Sequence, residues 1–155
     1  MTGFVVAVED PRAVDVRALL EAHLAFAREH SPPEDVHALD VDGLTANDVS
    51  FFSIRQEGRL LGVGALKALD GAHAEIKSMH TAAAARDRGV GRAMLGHLLV
   101  LARERGCTRV SLETGTMAAF APARALYASA GFEMREPFAG YWDSPHSVCM
   151  TLDLT

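Results

Sequence analysis

Arg86-Asp87-Arg88-Gly89-Val90-Gly91-Arg92-Ala93-Met94-Leu95 is the stretch whose reading decides the fold. It follows an apolar, strand-like run that ends near Thr81, and it opens a helical pattern continuing to about Gly106. From Val90 onward, Ala93, Met94, His97, Leu98, Leu101 and Ala102 fall on one face at helical spacing. A helix begins with N–H groups that lack intrahelical partners, at the positive end of its dipole. Gly89 and Gly91 leave room for a ligand to approach that backbone, and Arg86, Arg88 and Arg92 add positive charge. Strand, glycine turn and helix start together form an anion cradle, the usual guest being phosphate. Read without a ligand, the same residues are a helix start capped by Asp87, with glycines that only turn the chain.

Two nucleotide motifs built on this logic do not fit. A P-loop needs Gly-Lys-Ser/Thr, which is absent, and the dinucleotide fingerprint needs a third glycine where this chain has Met94.

Composition narrows the class. A chain of 155 residues is expected to form one domain, 1–155, with a core of ordinary size. No apolar run approaches the roughly 18 residues of a membrane span, and no basic-then-apolar leader pattern opens the chain, so a cytoplasmic protein without membrane partners is expected. Cys107 and Cys149 lack metal-ligand spacing and read as buried free thiols. Residues 1–50 carry ten acids against three arginines, a net of −7, whereas residues 51–155 carry ten acids and twelve bases, a net of +2. Basic residues gather only round the glycine turn, which disfavours nucleic acid as a partner.

In chain order, Phe4–Val8 reads as a strand, and Asp10-Pro11 as the cap and first position of a helix ending near Glu29 or His30, before Ser31-Pro32-Pro33. His23, His30 and His37 recur at sevens, but the prolines separate His37 from the other two, so no metal site is expected. Residues 34–48 form an acidic loop or short helix, either a solvated connection or one wall of a pocket for a cationic acceptor. Strands follow at Val49–Gln56, Arg59–Leu69 and His73–Thr81, with Glu57-Gly58 as a plain tight turn and Asp70-Gly71 as the stronger type I′ signal. After the helix come a strand at Arg109–Glu113, a helix over Ala118–Ala130 closed by Gly131, and strands at Phe132–Arg135 and Ser147–Leu154. The loop from Pro137 to Pro145 bears Phe138, Tyr141 and Trp142, which either close a core edge or line an acceptor pocket.

Arg86-x-x-Gly89-x-Gly91 resembles the acyl-CoA-binding motif of the GNAT superfamily of N-acetyltransferases. Ala123-x-x-Leu126-Tyr127-x-x-x-Gly131-Phe132 resembles its second signature, and the element order is similar over almost the whole chain. The resemblance implies an α/β (α+β) fold: a mixed, mostly antiparallel twisted sheet of six or seven strands, its central parallel pair splayed at the cofactor site, with helices on both faces. It implies acetyl-CoA as cosubstrate, no metal, and a small-molecule amine as acceptor; a homodimer is compatible with it. Main-chain amides at Arg86, Arg88, Gly89, Val90, Gly91, Arg92 and Ala93 would hold the pyrophosphate, and those at Met79, His80 and Thr81 would align the pantetheine arm and polarise the thioester. The family's pantetheine-binding asparagine is replaced by Phe120, so backbone and apolar contacts would hold the arm here.

By the same resemblance Tyr127 is the proton donor to the leaving thiolate, since a phenol of pKa ~10 stays protonated at neutral pH. Glu75 resembles a strand-four glutamate that serves some relatives as general base, often through water, and it equally could pair with Lys77 at i+2. Glu113 and His80 are further candidates for the base, although strict alternation sets His80 on the face opposite Glu75. Two other functions fit the same motifs: a catalytically silent acyl-CoA-binding sensor, and an acetyltransferase of protein N-termini or lysines.

Overall fold

Seven strands make one sheet in the order β1-β2-β3-β4-β5-β7-β6. The computed structural model describes residues 3–36 and 39–155. The strands are β1 (Val5–Val8), β2 (Val49–Gln56), β3 (Arg59–Ala68), β4 (His73–Thr81), β5 (Arg109–Gly115), β6 (Glu133–Arg135) and β7 (Ser147–Asp153). Each pairing is antiparallel except β4 with β5. The helices are α1 (Val14–His30), α2 (Val41–Leu44), α3 (Val90–Glu104) and α4 (Ala121–Ser129). No helix among the described residues is long and apolar enough to cross a membrane.

Alternation along β2 assigns the two faces. Phe52 and Ile54 join Leu66, Ile76, Val110 and Leu112 beneath α3, whose Val90, Met94, Leu98 and Ala102 are buried as their spacing predicts; Leu95 joins them, while Ala93, His97 and Leu101 of the expected face are only partly buried. Phe51 points the other way and packs with Val63 and Ala65 against Val16 and Leu20 of α1 and Leu44 of α2. Each such side chain, fully buried, contributes on the order of 1.5–3 kcal/mol. Two separate apolar layers thus clamp the sheet from both sides.

Three local expectations are corrected. The helix expected from Asp10-Pro11 starts at Val14, because Asp10 accepts the amide of Arg12 at 2.9 Å and closes a turn of its own. The two-residue hairpin with both residues left-handed is Glu57-Gly58 (φ 53° and 78°), not Asp70-Gly71. Asp70 instead accepts the amides of Ala72 and His73 at 2.7 and 2.9 Å, which holds a wider loop. Ala118–Ala130 is not one helix: Ala118–Phe120 forms a 3-10 turn before α4, with Pro122 in the first turn of α4. Of the two cysteines, both free, Cys149 is buried and Cys107 only partly so.

Candidate active site

The glycine turn arrives at α3 in a conformation few residues adopt. Asp87 has φ 62° and Gly89, the residue preceding the helix, has φ 81°. A side chain at Gly89 would meet no neighbour, so the left-handed backbone and not crowding favours glycine there. Asp87 does not cap the helix; no side chain does. Intrahelical bonding starts with the amide of Ala93 on the carbonyl of Gly89. The amides of Val90, Gly91 and Arg92 therefore lie before the first such bond, at the positive end of the dipole. Backbone of this kind, alternating in handedness, forms a concave anion nest.

Arg86, Arg88, Gly89 and Arg92 are exposed around this turn, while Val90 is buried in the core and Ala93 is half-buried. Arg88 donates to the Gln56 side chain at 2.5 Å and lies 6.0 Å from the Phe4 ring centroid. A Cβ on Gly91 would sit 3.2 Å from Leu126 and 3.8 Å from Thr81 Oγ1. The two sequence signatures, distant along the chain, meet at that contact. The residues present suit a pyrophosphate: open amides, left-handed Gly89 and a ring of arginines.

Beside the nest the sheet opens. β4 and β5 pair only through His73, Ala74 and Glu75, the last opposite Ser111. Beyond that point β4 bonds to β3 alone and β5 to β7 alone. Within the open part, Ser78 adopts φ 55° and the register with β3 shifts between Val63 and Ala65. This is a bulge, Ser78 and Met79 standing against Gly64. A Cβ on Gly64 would come 2.6 Å from Met94 and 3.0 Å from Met79, so only glycine fits beneath those methionines.

The bulge corrects the expected position of His80. Lys77 pairs with Ala65 and His80 with Val63, and Val63 and Ala65 share a face, so His80 lies on the same face as Glu75 and Lys77. There its Nδ1 meets His23 Nδ1 of α1 at 3.2 Å. Burial pushes the pKa of both imidazoles down to about 4, helped for His23 by His80 and for His80 by Arg86. Both are neutral at pH 7, one donating and the other accepting. Phe26 stacks edge-on against His80 and Phe120, and Phe120 packs closely over Gly115. The aromatic ring in the asparagine position is thus part of an apolar wall built with α1.

The same face carries a polar layer. Glu75 is buried, with its Oε2 accepting from Lys77 Nζ at 3.1 Å and from Tyr141 Oη at 2.5 Å; Lys77 also donates to Tyr141 Oη at 2.8 Å. Burial and then Glu75 raise the Tyr141 phenol above its usual range. Phe138 packs against Tyr141 and His73, so the aromatic loop folds over this layer. Glu113 is on β5, two residues past the last parallel pair, and shares the face of Ser111. It bonds to the Ser147 hydroxyl, and burial pushes its pKa up to about 7, against the opposing pull of Lys77. No cation lies within ion-pair distance of it among the described residues.

Tyr127 stands on the other face. It is 6% exposed in the α3 core, its ring 5.8 Å from Phe132, and burial raises its pKa. Its hydroxyl has no hydrogen-bond partner among the described residues. The expected acid and the carboxylates are therefore on opposite sides of the sheet. A cleft of about 480 Å³, between Ala18, Leu19 and Ala22 of α1 and Leu60 and Ala82, lies away from these groups.

The family model for the acetyltransferase (GNAT) family matches residues 16–132. The chain belongs to the GNAT family of acetyltransferases. It is 45% identical over 147 residues to the uncharacterized N-acetyltransferase YsnE of Bacillus subtilis (strain 168), covering 95% of this chain and 97% of that one. A Klebsiella pneumoniae protein assigned as an acyl-CoA N-acyltransferase superposes with a TM-score of 0.83 at 28% identity, over 98% of each chain. A GNAT family acetyltransferase from Elizabethkingia anophelis with acetyl-CoA bound superposes with a TM-score of 0.70 at 15% identity, over 97% of this chain and 98% of that one.

Three features of this GNAT site escape sequence reasoning. Ser78 gives no sign of its bulge. Tyr141 is legible only as an aromatic on a loop, and Asp35, buried at 6% exposure, only as one acid among many. Among the described residues no group of three or more histidines, cysteines or acids is arranged for a metal; His37 lies outside them.

Proposed function

We propose that this chain transfers an acetyl group from acetyl-CoA directly to the primary amine of a small molecule, in the cytoplasm. The observation that carries the reading is the uncapped start of α3, preceded by left-handed Gly89 and opening beside the splayed β4–β5 pair. The likeness to a fold neighbour with acetyl-CoA bound supports it.

Backbone amides from Arg86 to Ala93 hold the pyrophosphate, with Arg86, Arg88 and Arg92 as counter-charge. Main-chain groups of Met79, His80 and Thr81 line the opening and direct the acyl carbonyl, which preorganised N–H groups stabilise as charge develops. Phe120 supplies apolar contact to the arm in place of an asparagine. The cosubstrate brings the activated thioester; the protein supplies position and protons.

Tyr127 gives its proton to the departing sulfur. For the base, Glu75 is the carboxylate expected from the resemblance, but Lys77 and Tyr141 already occupy its Oε2. Glu113 carries no ion pair among the described residues, and burial pushes its pKa up to about 7, which favours it as the group that takes the proton of the ammonium. Thiol release from acetyl-CoA, followed with a panel of small amines, tests the reading. Amine-dependent release supports it; coenzyme A binding without release would make the chain a silent binding domain.

A further inference from the structure

Where β4 and β5 part, beyond Glu75 and Ser111, a row of aromatic rings runs from one strand to the other. His80 stands on the β4 side. On the β5 side is Phe120, whose ring rests on Gly115: a Cβ there would come 2.3 Å from it. Gly115 shares the face of Ser111 and Glu113, so Phe120 and His80 lie on the same side of the sheet. Phe26 of α1 joins them, edge-on to both, its centroid 6.2 Å from that of His80 and 5.4 Å from that of Phe120. His23 and His30 share the helix face of Phe26 and extend the row. The His30 ring lies 4.5 Å from Phe26 and 6.4 Å from Phe120, and His23 Nδ1 stands 3.2 Å from His80 Nδ1.

The row has little freedom to yield. Arg124 of α4 donates to the carbonyls of Gly115 and Met117 at 2.7 and 3.0 Å, and the Phe120 amide donates to that of Met117 at 3.0 Å. The turn carrying Phe120 is thereby fixed to the end of β5. Rings packed edge to face move only with their neighbours. All of these rings are partly buried, and none belongs to either apolar layer of the sheet, so the core itself does not require them.

We propose that Phe26, by bracing His80 against Phe120 across the β4–β5 gap, limits the acyl group to the size of acetyl. This rests on the acyl-CoA reading above and adds what selects the acyl chain. The main chain at Met79 and His80 directs the acyl carbonyl, so an acyl chain held there has the His80 ring and its row beside it. A methyl group is accommodated in front of the rings. The further methylenes of a butyryl chain have to displace packed rings, and overpacking of that kind weakens binding.

Calorimetric titration of the full chain with coenzyme A, acetyl-CoA and butyryl-CoA reads this without an acceptor. Wild type should bind acetyl-CoA about tenfold more tightly than butyryl-CoA. Phe26→Ala should bring the two within about threefold, and Phe26→Leu, which keeps part of the bulk, should fall between. Both thioesters are compared on one preparation, so misfolded protein lowers the apparent stoichiometry and leaves the ratio intact. Should Phe26→Ala not bind coenzyme A, Phe26→Leu carries the same comparison. Wild type binding both thioesters alike, or a ratio unmoved in the variants, overturns the proposal while leaving an acyl-CoA-binding chain. Failure of wild type to bind coenzyme A overturns the acyl-CoA reading itself.

Discussion

Tyr141 donates its phenolic hydrogen to Oε2 of Glu75 at 2.5 Å, bridging sixty-six residues of chain between the β6–β7 loop and β4. The same oxygen accepts from Lys77, so this carboxylate ties a loop to the sheet. Its neighbour across the opening, Glu113, is left to titrate.

Replacing Tyr141 by Phe keeps the ring over Phe138 and removes the hydroxyl. A part-buried hydrogen bond to a charged group contributes roughly 1.5–3 kcal/mol, so thermal unfolding should shift down by several degrees. An unchanged melting temperature would mean that the contact does not hold the loop.

Tyr127→Phe leaves the α4 packing against Phe132 in place and removes the proposed proton donor. Turnover should fall by about 10²–10⁴ with little change in coenzyme A affinity. Stopped-flow thiol release alongside calorimetry checks both halves, and an unaltered rate retires the assignment.

Much of this fold is legible in the sequence. β2 declares itself by alternation, β3 by its apolar run and much of the α3 face by its spacing, because local pattern and burial agree there. What stayed hidden depends on single side chains acting on backbone. Asp70 claims the amides of Ala72 and His73 and so overrides the turn signal of Asp70-Gly71. The bulge at Ser78 inserts one residue, which moves His80 to the face of Glu75 against simple alternation. Asp35 stands out only when tertiary structure removes water from it, whereas Glu113, already a candidate base in the sequence, gains weight from its place at the edge of the opening.

Activity should depend on pH through Glu113. A base must be deprotonated, so kcat/KM should rise as pH rises through about 7, and Glu113→Gln should lower and flatten the profile. Stability runs the other way. The folded pKa stands above the ordinary 4.5, so the native state holds a proton that the unfolded chain has lost, and stability declines as pH rises toward about 7. Chemical denaturation at pH 5 and pH 8, wild type against Glu113→Gln, should show the decline shrinking in the variant.

The imidazole pair gives an acid transition. His23 and His80 are held down near 4 from an ordinary 6.5, so the unfolded chain binds more protons between those values. Their contribution is complete above about 6.5 and is lost as pH falls toward 4. His23→Phe should flatten stability against pH in that window, read by urea unfolding; the wild-type slope persisting would show that the pair is not neutral.

The central claim is that open amides at the start of α3 grip a pyrophosphate. Titrating coenzyme A while following the backbone amide resonances of Gly89, Val90, Gly91 and Arg92 tests it most directly. All four should shift together and saturate on one binding curve. Resonances that stay in place at saturating coenzyme A would contradict the account.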